Sequence, residues 1–296
     1  MKRKKINVDR VFNTFNGLIM AIVLIVTLYP FLNVLAVSLN ESLDTVKGGI
    51  TIFPRKFTTE NYKVIFTYQN LLNAFFISVL RTVVGTVAGL IASSMVAYTL
   101  SRSDFQARKF FSTFLVLTLY VSGGLIPGFL LMRDLHLINS FWVYILPAIV
   151  NAFYIFMIRT YMEGLPFELQ ESAFIDGASD ITVFIKIILP LSTPVLATIA
   201  LFIAVGQWNS WFDTYLYNGS NDLLSTLQFE LMKILQSTQT GSDMARNNNV
   251  LEQMTTVTPD SIKMAITIVT VVPIIMVYPF LQKYFVKGMT IGAVKS

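Results

Sequence analysis

Six runs of roughly 20 residues, almost free of charge, dominate this chain, and that length suits helices crossing the hydrocarbon core of a bilayer. They are Gly17 to Val37, Leu71 to Leu100, Phe110 to Met132, Leu137 to Ile158, Ile187 to Phe212, and Met264 to Gln282, with Arg81 the one charge inside them. Backbone polar groups cannot go unpaired in lipid, and the alternating pattern of a barrel strand is missing, so each run reads as a helix. The expected fold is an all-α membrane protein with six transmembrane helices. Composition agrees: 54% of the 296 residues are hydrophobic and 13% are charged, about half the charge of an ordinary soluble domain. A disordered chain, a collagenous one and an ordinary cytosolic enzyme are thereby excluded.

Charge in the connections sets the expected orientation, because short cytoplasmic loops collect Lys and Arg. One side carries Lys2, Arg3, Lys4, Lys5 and Arg10, then Arg102, Arg108 and Lys109, then Arg159 and Lys186, and finally Lys283, Lys287 and Lys295. These thirteen face eight on the other side, so both termini are expected in the cytoplasm, in a multi-pass protein of the cell membrane. The net charge of +5 suits a basic tail beside anionic lipid and requires no nucleic acid. Ala36-Val37-Ser38 resembles a leader cleavage site, but the 21-residue first run, with Pro30 and Asn33 inside it, exceeds the about 7 to 15 apolar residues of a leader core. Retention of the first run as a span is therefore expected.

Several chemistries have no residues to carry them. The chain has no Cys and a single His, His136, which removes thiolate and most imidazole-based metal or triad sites; no metal site is expected. No phosphate-binding loop of the form G-x-x-x-x-G-K-[ST] occurs. Gly123-Gly124-Leu125-Ile126-Pro127-Gly128 lacks a Lys and reads as a kink or a close helix contact. None of the six runs contains Asp or Glu, which weighs against a proton relay, although a sodium site built from carbonyls would escape that test. The chain reads as a non-catalytic membrane subunit with no cofactor of its own, and an ion-coupled secondary transporter of a small solute is the alternative. Arg81 suits either a snorkelling or helix-paired side chain or a role in a pore.

The segment between the fourth and fifth runs reads as a lever. Pro166 suits a first helical turn, Glu168 and Glu171 favour the positive end of a helix dipole, and Gly177 can take the left-handed conformation that stops a helix. Ser179 or Asp180 can cap a second helix, which runs past Pro190 into the fifth run. Phe167, Phe174 and Ile175 offer apolar contacts, whereas Lys and Arg, usual on a lipid-surface helix, give way here to acids. Such a helix suits a groove on a soluble partner.

Glu171-Ser172-Ala173, then Gly177 after three residues, then Ile187 and Leu189-Pro190, resembles the EAA signature of binding-protein-dependent ABC importer permeases. Ser172 stands where Ala is usual. Leu165 to Leu169 and Phe174 to Ser179 resemble the carbohydrate-uptake, maltose-permease-like branch, as does Ile126 to Trp142. Lys47-Gly48-Gly49-Ile50 with Phe53-Pro54 is similar to its polysaccharide or lipoprotein-associated subgroup. The resemblance implies a type I ABC importer permease that pairs with a second homologous permease, an ABC ATPase dimer holding Mg-ATP, and an extracellular solute-binding protein, which in that subgroup is a lipoprotein. It also implies a layout: a basic tail over 1–16, a permease domain over 17–285 with a coupling loop at 163–186 and an extracellular segment at 213–263, and a tail over 286–296. Carried over, Glu171, Ala173 and Gly177, with Ser172 and Asp176 between them, would be the ATPase-coupling positions, and Leu189 and Pro190 would fix the lever to the fifth span.

Sugar sites use aromatic faces together with amides or hydroxyls. Asn151 and Tyr154 in the fourth run and Gln207, Trp208, Asn209 and Trp211 in the fifth are the substrate-pathway candidates, with Tyr144 nearby. Trp208 to Phe212 equally fits an aromatic belt at a membrane boundary, and Asn151 and Gln207 equally fit helix–helix hydrogen bonds. Leu227, Leu231, Ile234 and Leu235 keep helical spacing in the outer segment, which suits either a docking surface or a lid.

Overall fold

The computed structural model describes residues 8–67, 69–239 and 257–293. The expectations for Lys2, Arg3, Lys4, Lys5 and Lys295, and for residues 240–256 of the outer segment, lie outside these residues. Among the described residues only helices and turns occur, apart from an isolated bridge between Asn40 and Phe57. The chain divides into two compact units, residues 1–68 with 233–271 and residues 69–232 with 272–296.

The first unit opens with α1 (Val8–Ser38), followed by α2 (Ser42–Thr45) and α3 (Glu60–Thr67). Residues Phe12–Ser38 of α1 are long and apolar enough to cross a membrane, and the most apolar part of that stretch is not buried within the chain; Ala36 and Ser38, near its end, are. An unpacked apolar helix of this kind takes lipid or another membrane helix as its solvent. Beyond α1 the chain ties a small polar knot. The Asn61 amide donates to the carbonyls of Ser38 at 2.8 Å and Asn40 at 3.0 Å, and the Ser42 hydroxyl donates to Asn61 Oδ1 at 2.9 Å. Asn40 Nδ2 donates in turn to Asp44 Oδ2 at 3.2 Å. All four side chains are buried, so the knot survives because its members satisfy one another.

The second unit is built on α4 (Gln69–Ser101), whose residues Asn70–Ser101 also pass as a span. Its buried positions, among them Ala74, Ser78, Arg81, Gly85, Gly89 and Ala97, recur every three or four residues and so form one face. Most are small, which lets neighbouring helices approach closely, as membrane helices do when lipid supplies no hydrophobic drive. A β-carbon on Gly85 would sit 2.8 Å from the Gln207 side chain, and one on Gly89 would sit 3.4 Å from Ile203.

After α5 (Arg108–Tyr120) and α6 (Leu125–Asp134) come two short 3-10 turns, Phe141–Tyr144 and Leu146–Ala148, and then α7 (Ala152–Glu163), α8 (Glu168–Ile175) and α9 (Asp180–Val183). A π-helical turn, Phe184–Ile188, leads to α10 (Leu189–Leu191), α11 (Thr193–Asn209) and α12 (Phe212–Asn218). Two further helices, α13 (Leu227–Gln239) and α14 (Pro259–Ala293), contribute residues to both units. The main core joins Tyr98 and Leu100 of α4, Ile155 and Ile158 of α7, Val183 of α9, and Ile199 and Ile203 of α11.

Three of the six expected spans are not continuous helices. In the third run α5 and α6 meet at 118°, where Gly124 takes φ of +87°, so the glycine-rich stretch turns the chain far more sharply than a kink. In the fourth run the 3-10 turns and α7 meet at 49°, because Asn151 caps a new helix rather than continuing an old one. The fifth run, expected to extend straight from the lever, bends by 81° between α10 and α11. Pro194 has no N–H to give, its ring crowds the Pro190 carbonyl four residues earlier, and that carbonyl accepts from the Thr193 hydroxyl at 2.7 Å instead, which favours a break here. The described chain thus has three helices able to cross a membrane, or up to six if each bent pair is one crossing.

Candidate functional site

The lever is present as a helix, a stop and a second helix. Gly177 has φ of +82°, its N–H donates to the Phe174 carbonyl at 3.0 Å, and the Ala178 N–H reaches back to the Ala173 carbonyl at 2.9 Å. That pair of bonds is a Schellman ending, which uses glycine because other side chains resist the left-handed conformation. Ser179, rather than Asp180, caps α9, its hydroxyl accepting from the Thr182 N–H at 3.3 Å.

Helix α8 has two unlike faces. Ala173 and Phe174 pack against the main core, with Leu165 and Ala178 beside them. Glu168, Glu171, Ser172 and Ile175 are exposed, and their spacing of three, four and seven puts them on one stripe. Ile175 is 81% exposed and Phe167, just before the helix, is 57% exposed. The apolar residues of the lever therefore divide, with Phe174 inward and Phe167 and Ile175 outward. Asp176 is exposed at the helix end, while Leu189 and Pro190 lie in α10, just before the 81° bend.

Arg102 holds the inner face of the lever. Its guanidinium donates to Asp180 Oδ1 at 2.5 Å and to Asp104 at 2.9 and 2.5 Å, and it lies 5.1 Å from the centre of the Phe174 ring. The Asp104 hydrogen bond comes first among the causes that raise the pKa of this guanidinium, and the same contact lowers that of the Asp104 carboxyl. One side chain just past the end of α4 thus touches α8 and the cap region of α9 together. Nearby, Glu163 receives both Arg108 and Arg159, and Arg159 also donates to Ser112 Oγ at 2.7 Å, which joins α5 to α7.

The other charged feature lies inside the second unit. Arg81 is 2% exposed and donates to Gln207 Oε1 at 3.1 and 3.0 Å, to Asp213 at 3.2 and 2.5 Å, and to the Ser210 carbonyl at 3.3 Å. Its guanidinium also sits 4.3 Å from the centre of the Tyr144 ring. Gln207 Nε2 donates to the Tyr144 carbonyl at 3.1 Å, and the Tyr144 hydroxyl donates to the Leu224 carbonyl at 2.7 Å. A planar fork suits several acceptors at once, which is why arginine rather than lysine serves here. Arg81 is helix-paired, and its partner Asp213 lies one residue beyond the fifth run.

The six substrate-pathway candidates do not converge on one cavity. Gln207 is committed to Arg81 and Tyr144. Trp208 is buried, meets Phe75 edge-on at 6.1 Å, and lines an apolar cavity of about 220 Å³ together with Val83, Leu201, Pro273 and Val277. That lining offers almost no polar atoms, so it is unsuited to a sugar. Asn151 is exposed and caps α7, its Oδ1 accepting from the N–H groups of Phe153 at 3.0 Å and Tyr154 at 3.3 Å. Tyr154 packs beside the main core. Asn209 is exposed and accepts from Gln228 Nε2 at 3.0 Å, and Trp211 stands in an aromatic group with Phe212 and Tyr215.

Sequence reasoning missed Arg102, Gly85 and Asp213 as parts of these two networks. Gly85 lies four residues after Arg81, hence on the same face of α4, so that spacing was a usable signal. Arg102 carried no local sign of its distant partners.

An all-helical chain with broken candidate spans and a projecting acidic helix fits a transport permease. The chain belongs to the family described as binding-protein-dependent transport system inner membrane component, which matches residues 85–291. Protein LplC of Bacillus subtilis is 38% identical over 97% of this chain and 96% of its own length. The polygalacturonan/rhamnogalacturonan transport system permease protein YtcP of Bacillus subtilis is 37% identical over 92% of this chain and 94% of its own. The arabinooligosaccharides transport system permease protein AraQ of Halalkalibacterium halodurans is 34% identical, covering 93% and 94%. Among solved structures, a chain of a bacterial ABC transporter involved in import of the acidic polysaccharide alginate superposes with a TM-score of 0.86 at 27% identity, covering 96% of this chain and all of that one. The chain is thus a permease component with the ABC importer fold, and membership of a binding-protein-dependent family decides against the ion-coupled alternative.

Proposed function

We propose that this chain is one of two homologous permeases in an ATP-driven importer of an oligosaccharide or polysaccharide fragment. ATP is hydrolysed in a partner ATPase dimer, and a binding protein, held as a lipoprotein, delivers the substrate from the other side. Both termini lie in the cytoplasm under this reading, in accord with the distribution of Lys and Arg. The observation that carries it is the two-faced α8: one face is locked into the core beneath Arg102, while Glu168, Glu171, Ser172 and Ile175 project outward. A rigid, short, exposed helix of this kind transmits displacement to whatever holds it, and the inward residues Ala173 and Phe174 pass it to α4 and α7. Gly177 fixes the angle at which α9 departs, and Leu189 and Pro190 carry the motion to the bend before α11.

The carbohydrate assignment draws on the names of the relatives and on the alginate importer. Asn209 with the Trp211 group supplies an amide and aromatic faces suited to a sugar ring, and Asn151 and Tyr154 are further contacts. Gln207 and Trp208 serve the same path by holding its wall. The test is uptake and ATP hydrolysis by the reconstituted transporter carrying Glu171→Lys. Hydrolysis that continues while uptake is lost supports the reading. Wild-type uptake with normal stoichiometry would overturn it.

A further inference from the structure

The Lys47-Gly48-Gly49-Ile50 and Phe53-Pro54 segment takes no part in the lever or the path, yet it is a built loop. Gly48 and Gly49 have φ of +70° and +75°, two successive left-handed residues that reverse the chain. Arg55 then closes the neck, donating to the Gly48 carbonyl at 2.8 Å, to the Asp44 carbonyl at 3.0 Å and to Asp44 Oδ2 at 2.9 Å. The tip between these points, Gly49 to Pro54, contains no charge, while Lys47, Arg55 and Lys56 surround the neck. Phe53 is 80% exposed and Ile52 is 42% exposed.

The depth of this tip follows from one residue of α1. Asn33 Nδ2 donates to the carbonyls of both Ile50 and Thr51 at 2.8 Å. Asn33 lies five residues before the end of α1 at Ser38, which at the helical rise is about 7.5 Å back along the helix axis. A headgroup layer is about 5 to 7 Å thick on each side of the hydrocarbon core. The tip therefore descends beside α1 through that layer, and Phe53, two residues past Thr51, can lie at most about 7 Å from it. Phe31 and Leu35 of α1 are exposed at the same level. An exposed Phe and Ile at that depth continue the lipid-facing surface of the helix.

We propose that Gly49 to Pro54 is an interfacial anchor: Phe53 and Ile52 seat among the headgroups and upper acyl chains of the leaflet at the carboxyl end of α1, with the basic neck at phosphate level. It depends on α1 crossing the bilayer and is independent of the coupling assignment. The anchor would help fix the rotation and depth of α1, whose buried residues, Ala36 and Ser38, lie only near its carboxyl end.

Because this chain has no Cys, an introduced cysteine is its one labelling site, and it reports cleanly once any cysteines of the partner subunits are replaced. Phe53→Cys and, separately, Ile52→Cys are introduced into the full transporter, labelled with an environment-sensitive fluorophore, and reconstituted into phosphatidylcholine–phosphatidylglycerol vesicles. Ser220→Cys, at an exposed loop residue, is the aqueous control. Shallow nitroxide-labelled lipid is expected to quench about half or more of the signal at 52 and 53, with iodide quenching much weaker than at 220. Adding Asn33→Leu to Ile52→Cys is expected to reduce the lipid quenching, because the clamp is gone. Iodide quenching equal to the control without lipid quenching would overturn the proposal, and so would shielding that arises only when a binding protein is added. If Phe53→Cys fails to assemble, the Ile52→Cys pair decides the matter alone.

Discussion

The lever around α8 and the network around Arg81 both carry charge next to membrane helices, one at the ends of the spans and the other inside α4, and they dispose of it in opposite ways. Every donor group on Arg81 that the network uses finds an acceptor inside the chain, and the side chain is sealed from solvent. On α8 the carboxylates of Glu168 and Glu171 point outward, while the core-facing residues are Ala173 and Phe174. Internal saturation marks a scaffold, because a buried charge is tolerated when the chain itself supplies the partners. An outward acidic stripe on a rigidly backed helix marks a surface meant for something else. The same distinction reassigns Gln207, a polar residue in a span whose hydrogen bonds are consumed by Arg81 and Tyr144.

Substitutions on each side separate the two roles. The largest loss of stability is expected from Arg81→Ala, which strands Asp213 and Gln207 and costs about 3 to 5 kcal/mol, read as a lowered Tm in detergent or nanodiscs. Glu171→Lys, by contrast, is expected to change stability by less than about 0.5 kcal/mol. A Tm loss for Glu171→Lys as large as that for Arg81→Ala would break the comparison. Gly85→Ala sharpens it: the added methyl meets the Gln207 side chain, displaces the acceptor of Arg81, and costs about 1 to 3 kcal/mol by overpacking. An unchanged Tm there would mean that Gln207 can move without disturbing the network. Arg102→Met is expected to cost about 1 to 2 kcal/mol and also to lower the ratio of substrate imported to ATP hydrolysed, since α8 and α9 lose their common partner. Retention of that ratio would limit Arg102 to stability alone.

The smallest effect concerns pH. In the polar knot the Asn40 amide, with Arg55 beside it, holds the Asp44 carboxyl below its ordinary pKa of 3.8. A carboxyl lowered in the folded state contributes stability that is fully present above the unfolded value and is lost as pH falls through the folded value. Protease nicking of the loop between Lys47 and Lys56 should therefore stay low down to about pH 4 and rise only below it. Nicking that rises near neutrality would show that Asp44 does not hold this loop.

What the sequence disclosed and what it hid follow the range of the interactions concerned. The end of α8 at Gly177 and the cap at Ser179 were legible because both are made by residues within a turn of the helix end. The apolar runs were legible as membrane segments because hydropathy needs only composition over about 20 residues. Their direction was not: the fifth run reads as one helix by length, yet it bends by 81° beside Pro194. The pairing of Arg102 with Asp180 joins residues 78 apart, and that of Arg81 with Asp213 joins residues 132 apart, so neither has a local signature. Asn151 looked like a polar residue within a span because the break that makes it a helix cap arises from the preceding 3-10 turns.

The central claim is that the exposed stripe of α8 is held by the ATPase. Ile175→Cys, the only thiol in such a variant and located at a position 81% exposed, tests it directly when the whole transporter is treated with a short thiol-to-amine cross-linker. A product joining this chain to the ATPase, protected or enhanced by nucleotide and absent from a Ser220→Cys control, is the predicted result. No cross-link from Ile175 to the ATPase, in a complex that still imports its substrate, would contradict it.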